Sequence, residues 1–478
     1  LEFRRVLFRS GLGVMRQFIG SVRDESTVRD LLLSVAPKRI REAAERIAIL
    51  VAKMNETNAE KDQMAYAEAV IEWGDAGGYD FEVIWDSCCT QALEQSFIEV
   101  ADRKVNTLSG GEQKKLVVLA LMQGPEETLL LDEPDNYLDV PSKRWLEQVI
   151  KETKKTVLFV SHDRELLEEV ATRIVTLEQG HNGNTTWVHG GKFSTWHDAR
   201  RARNERFAEV LQRWEEEHTR LKELVLTLRN QAKSSPDMAS KYRAMQTRLR
   251  KFEEIGPPPP PPRVQDVKVN LRSTRTGERV VTCEDLTIEN LTEPFSIEIY
   301  YQDRVAILGK NGTGKSHFLR MVSGDSTVRF NGTFKLGARV KPGFFAQTHA
   351  HPEFEGKTLL EILWEQNSLQ LGAAKSVLGR YELADHAEQK FTSLSGGQQA
   401  RFQVLLLELA GDTLLLLDEP TDNLDFASAE ALERALDAYQ GTVIAVTHDR
   451  WFARGFTRFM IFGSEGQVYE SPEPVWSH

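Results

Sequence analysis

Apolar positions follow two periods along this chain, and the change of period marks where it changes element. Short unbroken runs, Arg304–Leu308, Leu414–Leu417 and Val443–Val446, predict strands buried on both faces of a parallel sheet. Ile40, Ala43, Ile47, Leu50 and Met54 recur at helical spacing, and a second helix-like stretch follows to about Trp73. A longer stripe joins Phe207, Val210, Trp214, Leu221, Leu224 and Leu228, interrupted only at Glu217. Ser234–Met238 supplies a turn, because Pro236 disfavours helix at the residue before it. Tyr242, Met245, Leu249 and Phe252 then resume the spacing, which predicts two antiparallel helices packed along one seam. The first, from Phe193 to Gln231, would extend about 55–60 Å. Gly256 ends the second, and Pro257–Pro262 forms a stiff polyproline spacer.

The chain also repeats itself. TLSGGEQKKL around Ser109 returns as SLSGGQQARF around Ser395, LLLDEPDNYLD around Asp132 as LLLDEPTDNLD around Asp418, and VLFVSHDRE around His162 as VIAVTHDRW around His448. Each pair is 286 residues apart, so the chain holds a duplicated domain. GVMRQFIG at Gln17 resembles PGFFAQTH at Gln347 with a separation of 330. The first copy therefore carries 44 extra residues before its LSGG motif, read as a helical outgrowth over about 38–80. At the same separation, the counterpart of Lys315 falls ahead of residue 1, so the first copy is expected to lack its phosphate loop and leading strands. Residues 1–10 (LEFRRVLFRS) fit no later pattern and read as non-native. The expected organisation is a first domain over 11–192, a helical hairpin with its spacer over 193–272, and a second domain over 273–478.

Composition narrows the class. A chain of 478 residues exceeds one hydrophobic core, and about 150 residues per domain suggests three units. Three cysteines, Cys88, Cys89 and Cys283, make neither a zinc knuckle nor a disulfide framework, and no apolar run is long enough to span a bilayer. A cytoplasmic setting is expected. The net charge of −11 means that a nucleic-acid partner needs a local basic surface. Arg229, Lys233, Lys241, Arg243, Arg248, Arg250 and Lys251 supply one around the hairpin turn, against a single acid, Asp237. Such a tip, with Tyr242 and Phe252 beside it, suits salt-sensitive phosphate contact with RNA.

The second copy carries phosphate chemistry. Gly309-Lys310-Asn311-Gly312-Thr313-Gly314-Lys315-Ser316 fits GxxxxGK[ST] between a strand and a helix. The glycines let backbone N–H groups turn towards phosphates, Lys315 adds a point charge, and Ser316 offers a hydroxyl to Mg²⁺. Asp418, ending the Leu414–Leu417 strand, can hold the Mg²⁺ shell, and Glu419 can orient or deprotonate an attacking water. His448, ending the next strand, can hydrogen-bond a γ-phosphate.

Phosphate loop, Gln347, LSGGQ-type signature, LLLLDEP and strand-end His, in this order, resemble the nucleotide-binding domain of ATP-binding cassette (ABC) proteins. The resemblance implies an α/β fold of two P-loop cassettes in tandem. It also implies a magnesium-dependent ATPase whose ATP is sandwiched between one cassette's phosphate loop and the other's signature. Gly309–Ser316, Gln347, Asp418, Glu419 and His448 would then work with Ser109, Gly110, Gly111 and Glu112 of the first copy, and Asp139 would bridge the cassettes. Lys315, Gln347, Glu419 and His448 would act in catalysis, and Ser316, Gln347 and Asp418 would hold the metal. The opposite site would comprise Gln17, Asp132, Glu133, His162, Ser395, Gly396 and Gly397, without a phosphate loop from these residues. Two departures stand out: Thr287–Pro294 has no aromatic to stack on a base, and Asp135 replaces the second copy's Thr421.

Tandem cassettes with a long helical connector and no membrane span are similar to the ABC-F family of translation and ribosome-protection factors. The resemblance implies a monomer with intramolecular cassette pairing. The insertion would be that family's arm, and the hairpin would reach rRNA and tRNA on the ribosome when ATP closes the cassettes. No DNA partner is expected. The alternatives are the ATPase of a transporter with separate membrane subunits, a DNA-repair ATPase, and a scaffold that binds ATP without cleaving it.

Overall fold

The structure, a computed structural model, describes residues 11–16, 19, 25–57, 59–180, 183–233, 236–262, 265–346, 351–422 and 424–476. Gln17, Gln347 and the 1–10 segment lie outside these residues. Contacts divide the chain into two compact units: Leu1–Leu166 with Asp266–His478, and Leu167–Gln265. No described helix is long and apolar enough to cross a membrane.

The first unit begins with a parallel sheet of β1 (Leu12–Met15), β2 (Thr128–Asp132) and β3 (Thr156–Val160), in that spatial order. Between β1 and β2 lie α1 (Val28–Val35), α2 (Lys38–Thr57), α3 (Glu60–Asp75), α4 (Gly78–Leu93) and α5 (Gly110–Gln123); α6 (Val140–Glu152) precedes β3. The predicted stripe on α2 is the buried one: Ile40 is in the core, and Ala43, Ile47, Leu50 and Met54 are half-buried while their neighbours are mostly exposed. Arg46–Glu72 and Lys53–Asp62 ion pairs tie α2 to α3. Trp73, Phe81, Trp85 and Phe97 close the core beneath, and burial there pushes the Cys88 and Cys89 thiols up to about 12, which leaves them inert.

The second unit holds an antiparallel ribbon, β4 (Ile174–Gly180) and β5 (Gly183–His189), followed by α7 (Phe193–Gln231) and α8 (Pro236–Ile255). The buried Glu178 carboxylate takes Arg200 at 2.9 Å and Arg203 at 2.6 Å, anchoring the base of α7 on the ribbon. Along the helical seam Trp214 stacks on Phe252, with ring centroids 5.2 Å apart, and Leu221 is buried. Two residues of the predicted stripe, Phe207 and Val210, are exposed instead. The cause is length: α8 has 20 residues against 39 in α7, and it ends opposite Trp214. Leu224 is also partly exposed, and nothing in the structure explains it.

The rest of the first unit is the second cassette. Its sheets and the helices that frame the site are β6 (Arg279–Ile288), β7 (Phe295–Tyr300), β8 (Arg304–Gly309), α9 (Lys315–Ser323), β9 (Phe330–Leu336), β10 (Pro342–Phe345), α10 (Gly396–Ala410), β11 (Leu414–Asp418), α11 (Phe426–Ala438), β12 (Thr442–Val446), β13 (Arg458–Phe462) and β14 (Val468–Ser471), with two further helices, Leu359–Asn367 and Leu371–Arg380, between β10 and α10. One sheet runs β10-β11-β12-β8-β13-β14, parallel except for β14, and a smaller antiparallel sheet runs β7-β6-β9. Strand register relates the two sheets. Gly13 faces Leu129 in the first sheet as Gly343 faces Leu415 in the second, so β1 and β10 are counterparts, 330 residues apart. Every position of β11 and β12 is buried, as their unbroken apolar runs require. β3 differs, with Leu158 and Val160 about half exposed where Ile444 and Val446 of β12 are covered. β12 pairs with β8 on its far edge, whereas no described strand pairs with the far edge of β3.

A candidate composite phosphate site between the two cassettes

The phosphate loop leaves β8 and closes on the first turn of α9. Gly309 has φ +149°, and a Cβ there would sit 2.3 Å from the Phe462 carbonyl oxygen, so only glycine fits. Gly314, at φ +99°, is the N-cap of α9 and aims that helix's free N–H groups into the loop. Lys315 is buried, and its Nζ donates to the carbonyls of Gly309 at 2.9 Å and Lys310 at 2.6 Å. Burial holds its amine below the usual lysine range, opposed by Glu419, Asp418 and Asp139. Thr313 Oγ1 donates to the Lys310 carbonyl at 3.0 Å, locking the turn.

Two strand ends meet this loop. Ser316 Oγ donates to Asp418 Oδ1 at 3.0 Å, which puts two hard oxygen donors side by side, the chemistry Mg²⁺ takes. Glu419 stands next to them with φ +47°, a left-handed conformation that costs a non-glycine residue on the order of 1–3 kcal/mol. Glu133, its counterpart in the first copy, has the same φ. Glu419 Oε2 accepts from the His448 N–H at 2.9 Å. Burial, Asp422 and Asp418 push the Glu419 carboxyl up to about 8, against the pull of Lys315. The His448 ring lies 3.6 Å from Glu419 and 2.9 Å from Asn311 Oδ1 through the same Nε2. Burial and the charges of Lys315 and Lys143 hold that imidazole well below its usual pKa, so it is neutral, with Nε2–H donating to Asn311.

The signature of the first copy faces this loop. Ser109 caps α5: its Oγ accepts from Glu112 N at 3.2 Å, while Glu112 Oε2 takes both the Ser109 N–H and hydroxyl at 2.7 Å. Ser109, Gly110 and Gly111 line a cavity of about 270 Å³ with Asn311, Gly312, Glu419 and His448. Asn311 Nδ2 donates across it to the Tyr137 carbonyl at 3.2 Å. Asp139, expected to bridge the cassettes, caps α6 by accepting from Ser142 N at 3.1 Å, and its charge also acts on Lys315 of the second cassette. Larger cross-cassette links follow a pseudo-twofold: Arg164 pairs with Glu433, and Arg450 with Glu147, each residue 286 positions from its counterpart.

Sequence reasoning passed over two buried lysines of the first copy, Lys114 and Lys143, whose counterparts are Ala400 and Ala429. Subtracting one repeat from the other would have found both. Lys114 donates to the Glu133 carbonyl, and burial pushes its amine down to about 8. Below pH 8 the folded chain therefore carries a buried charge. Between pH 8 and 10.5 the unfolded chain holds a proton that the folded one has released, so stability rises with pH there. Lys114→Met is expected to abolish that rise, read as the urea midpoint at pH 8 and pH 10; parallel curves for both proteins would contradict it.

The opposite set is placed as follows. Asp132 and Glu133 are half-buried at the end of β2, and His162 is exposed with its ring 5.5 Å from that of Phe426. Ser395 caps α10 ahead of Gly396 and Gly397, accepting from Gln398 N at 3.4 Å. In the second unit all seven basic residues of the hairpin tip are exposed. Arg248 pairs with Glu217, and Arg250 with Glu254.

Comparison with known proteins matches residues 292–422 to the family described as ABC transporter. An antibiotic resistance protein of Mycobacteroides abscessus is 55% identical over 485 residues, covering 97% of this chain and 88% of that protein. The energy-dependent translational throttle protein EttA of Haemophilus influenzae is 28% identical, covering 97% and 86%. ABC transporter F family member 5 of Arabidopsis thaliana is 31% identical over 377 residues, covering 77% and 53%. With two cassettes whose signature and phosphate loop share one cavity, and with an extended helical hairpin between them in sequence, the chain belongs to the ABC-F family of ATP-binding cassette proteins.

Proposed function

We propose that the chain binds ATP between the phosphate loop of its second cassette and the signature of its first. Hydrolysis is directed by Glu419, and the closed state presents the hairpin to ribosomal RNA and tRNA. The observation that carries this reading is the shared cavity, in which Ser109–Gly111 lie opposite Asn311, Gly312, Glu419 and His448. Lys315 and the N–H groups at the start of α9 hold the phosphates, and the Ser109 cap turns a second helix N-terminus towards the same space. Ser316 and Asp418 would hold Mg²⁺, which supplies charge neutralisation on the phosphate oxygens. Glu419 takes the proton of the attacking water, its carboxylate steered by the His448 N–H. Neutral His448 donates from Nε2, to Asn311 here and to phosphate oxygen when nucleotide is bound.

The ribosomal part rests on the hairpin tip, where seven exposed cations meet one acid in a chain of net charge −11. The names of the relatives, an antibiotic resistance protein and a translational throttle protein, support it. Each phosphate contact contributes roughly 0.7–0.9 to the slope of log affinity against log salt. Changing Arg229, Lys233, Lys241 and Arg243 to glutamine is therefore expected to weaken ribosome binding at least tenfold at moderate salt and to flatten its salt dependence. Co-sedimentation with ribosomes in ATP, using Glu419→Gln as the parent, measures both. A parent that stays in the supernatant at low salt would sink the ribosomal reading and leave the ATPase reading standing.

A further inference from the structure

A charged cluster is shut into the wall of the composite cavity. Lys143, on α6 of the first cassette, is buried, and its Nζ lies 2.9 Å from Asp163 and donates to the His448 carbonyl of the second cassette at 3.4 Å. Asp135 and Asp422 line the same cavity. Asp135 is buried, and its Oδ1 has no hydrogen-bond partner. Burial pushes the Asp422 carboxyl up to about 6, and the three acids together hold the Lys143 amine above its usual range against the cost of burial.

The duplication supplies an internal control. The reciprocal pairs Arg164–Glu433 and Arg450–Glu147 recur in both copies, as contacts that merely hold the cassettes together would. The cluster does not recur. The counterparts of Lys143, Asp135 and Asp422 are Ala429, Thr421 and Asn136, so the amine is built into the Glu419 site alone. Its acceptor is also specific. The peptide group that follows the His448 carbonyl is fixed by Lys143, and the N–H of the same residue holds Glu419 Oε2 at 2.9 Å.

We propose that Lys143 is a positioning residue delivered in trans: the first cassette inserts it on closure, it pins the backbone at His448, and through that backbone it sets the Glu419 carboxylate for hydrolysis. The inference rests on the ATPase reading above, and the test separates the two. In steady-state ATP hydrolysis by the full chain, Lys143→Met is expected to lower kcat tenfold or more while KM for ATP changes less than threefold. Lys143→Arg, which keeps the cation, should recover part of kcat. The double variant Lys143→Ala with Asp135→Thr copies two of the three counterpart residues and removes one buried acid together with the amine. It should restore thermal stability yet leave kcat low, so the test survives if Lys143→Met fails to fold. Wild-type kcat in the double variant would reduce Lys143 to charge balance for Asp135 and overturn the inference. A change in KM alone would overturn it as well. If wild type and Glu419→Gln hydrolyse ATP equally slowly, the ATPase reading itself has failed.

Discussion

Glu419→Gln is expected to cut ATP turnover at least ~100-fold while ATP stays bound, since general-base catalysis typically contributes 10²–10⁴-fold. Glutamine keeps the shape and can still accept the His448 N–H with its side-chain oxygen. It cannot take a proton from water. The native carboxyl is already pushed up to about 8 by burial, Asp422 and Asp418, so a neutral amide at this position brings no added charge into the closed site. The ATP-bound closed state should therefore be at least as stable as in the wild type, and the variant should accumulate in it. Phosphate release in steady state and nucleotide retained on rapid gel filtration are the two measurements. Turnover within twofold of the wild type would mean that another group activates the water.

The second large effect is expected at Lys315. Its amine is buried, held below the normal lysine range by desolvation against the pull of Glu419, Asp418 and Asp139, and donates to the carbonyls of its own loop, Gly309 and Lys310. An anionic phosphate placed against this amine would offset the cost of its burial. Lys315→Ala should leave the fold intact, since the loop's shape comes from Gly309, Gly314 and the α9 cap, and should abolish tight ATP binding. Ligand binding adds RT ln(1 + [L]/Kd) to stability, about 2.7 kcal/mol at a hundredfold excess over Kd, so the wild-type melting temperature should rise with ATP and Mg²⁺. The variant should show no such rise up to millimolar ATP. An equal shift in both proteins would place the nucleotide elsewhere.

How far the sequence could be read depended on how local each feature is. The phosphate loop was legible in full, because eight consecutive residues carry the glycines, the lysine and the hydroxyl that the shape needs. The two cassettes were legible because motifs at a constant separation of 286 residues leave no other arrangement. The 44-residue excess in the first copy also followed from counting, and the pairing of β1 with β2 agrees with it. The hairpin was legible in its helices and less so in its contacts. A stripe of apolar residues says which face of α7 would pack, but not how far along it α8 extends, so Phe207 and Val210 were assigned to a seam that stops at Trp214.

Features joined only by folding were out of reach. The sequence carried no sign that Asp139 also caps α6, where a short polar side chain just ahead of a helix meets the nearest free N–H. Lys143 sits in an unremarkable stretch of sequence, and its acceptor is 305 residues away.

The sequence by itself determined the two cassettes, the phosphate loop and the acidic strand ends, since backbone conformation and apolar runs fix these over a few residues. Tertiary structure alone decided that Asn311 reaches the Tyr137 carbonyl, that Arg164 and Arg450 pair reciprocally between the cassettes, and that Lys143 lies among three acids. The physical reason is that a charge acts over a few ångströms of space. Which charges come that close is set by how two separately folded sheets pack, and distance along the chain does not record it.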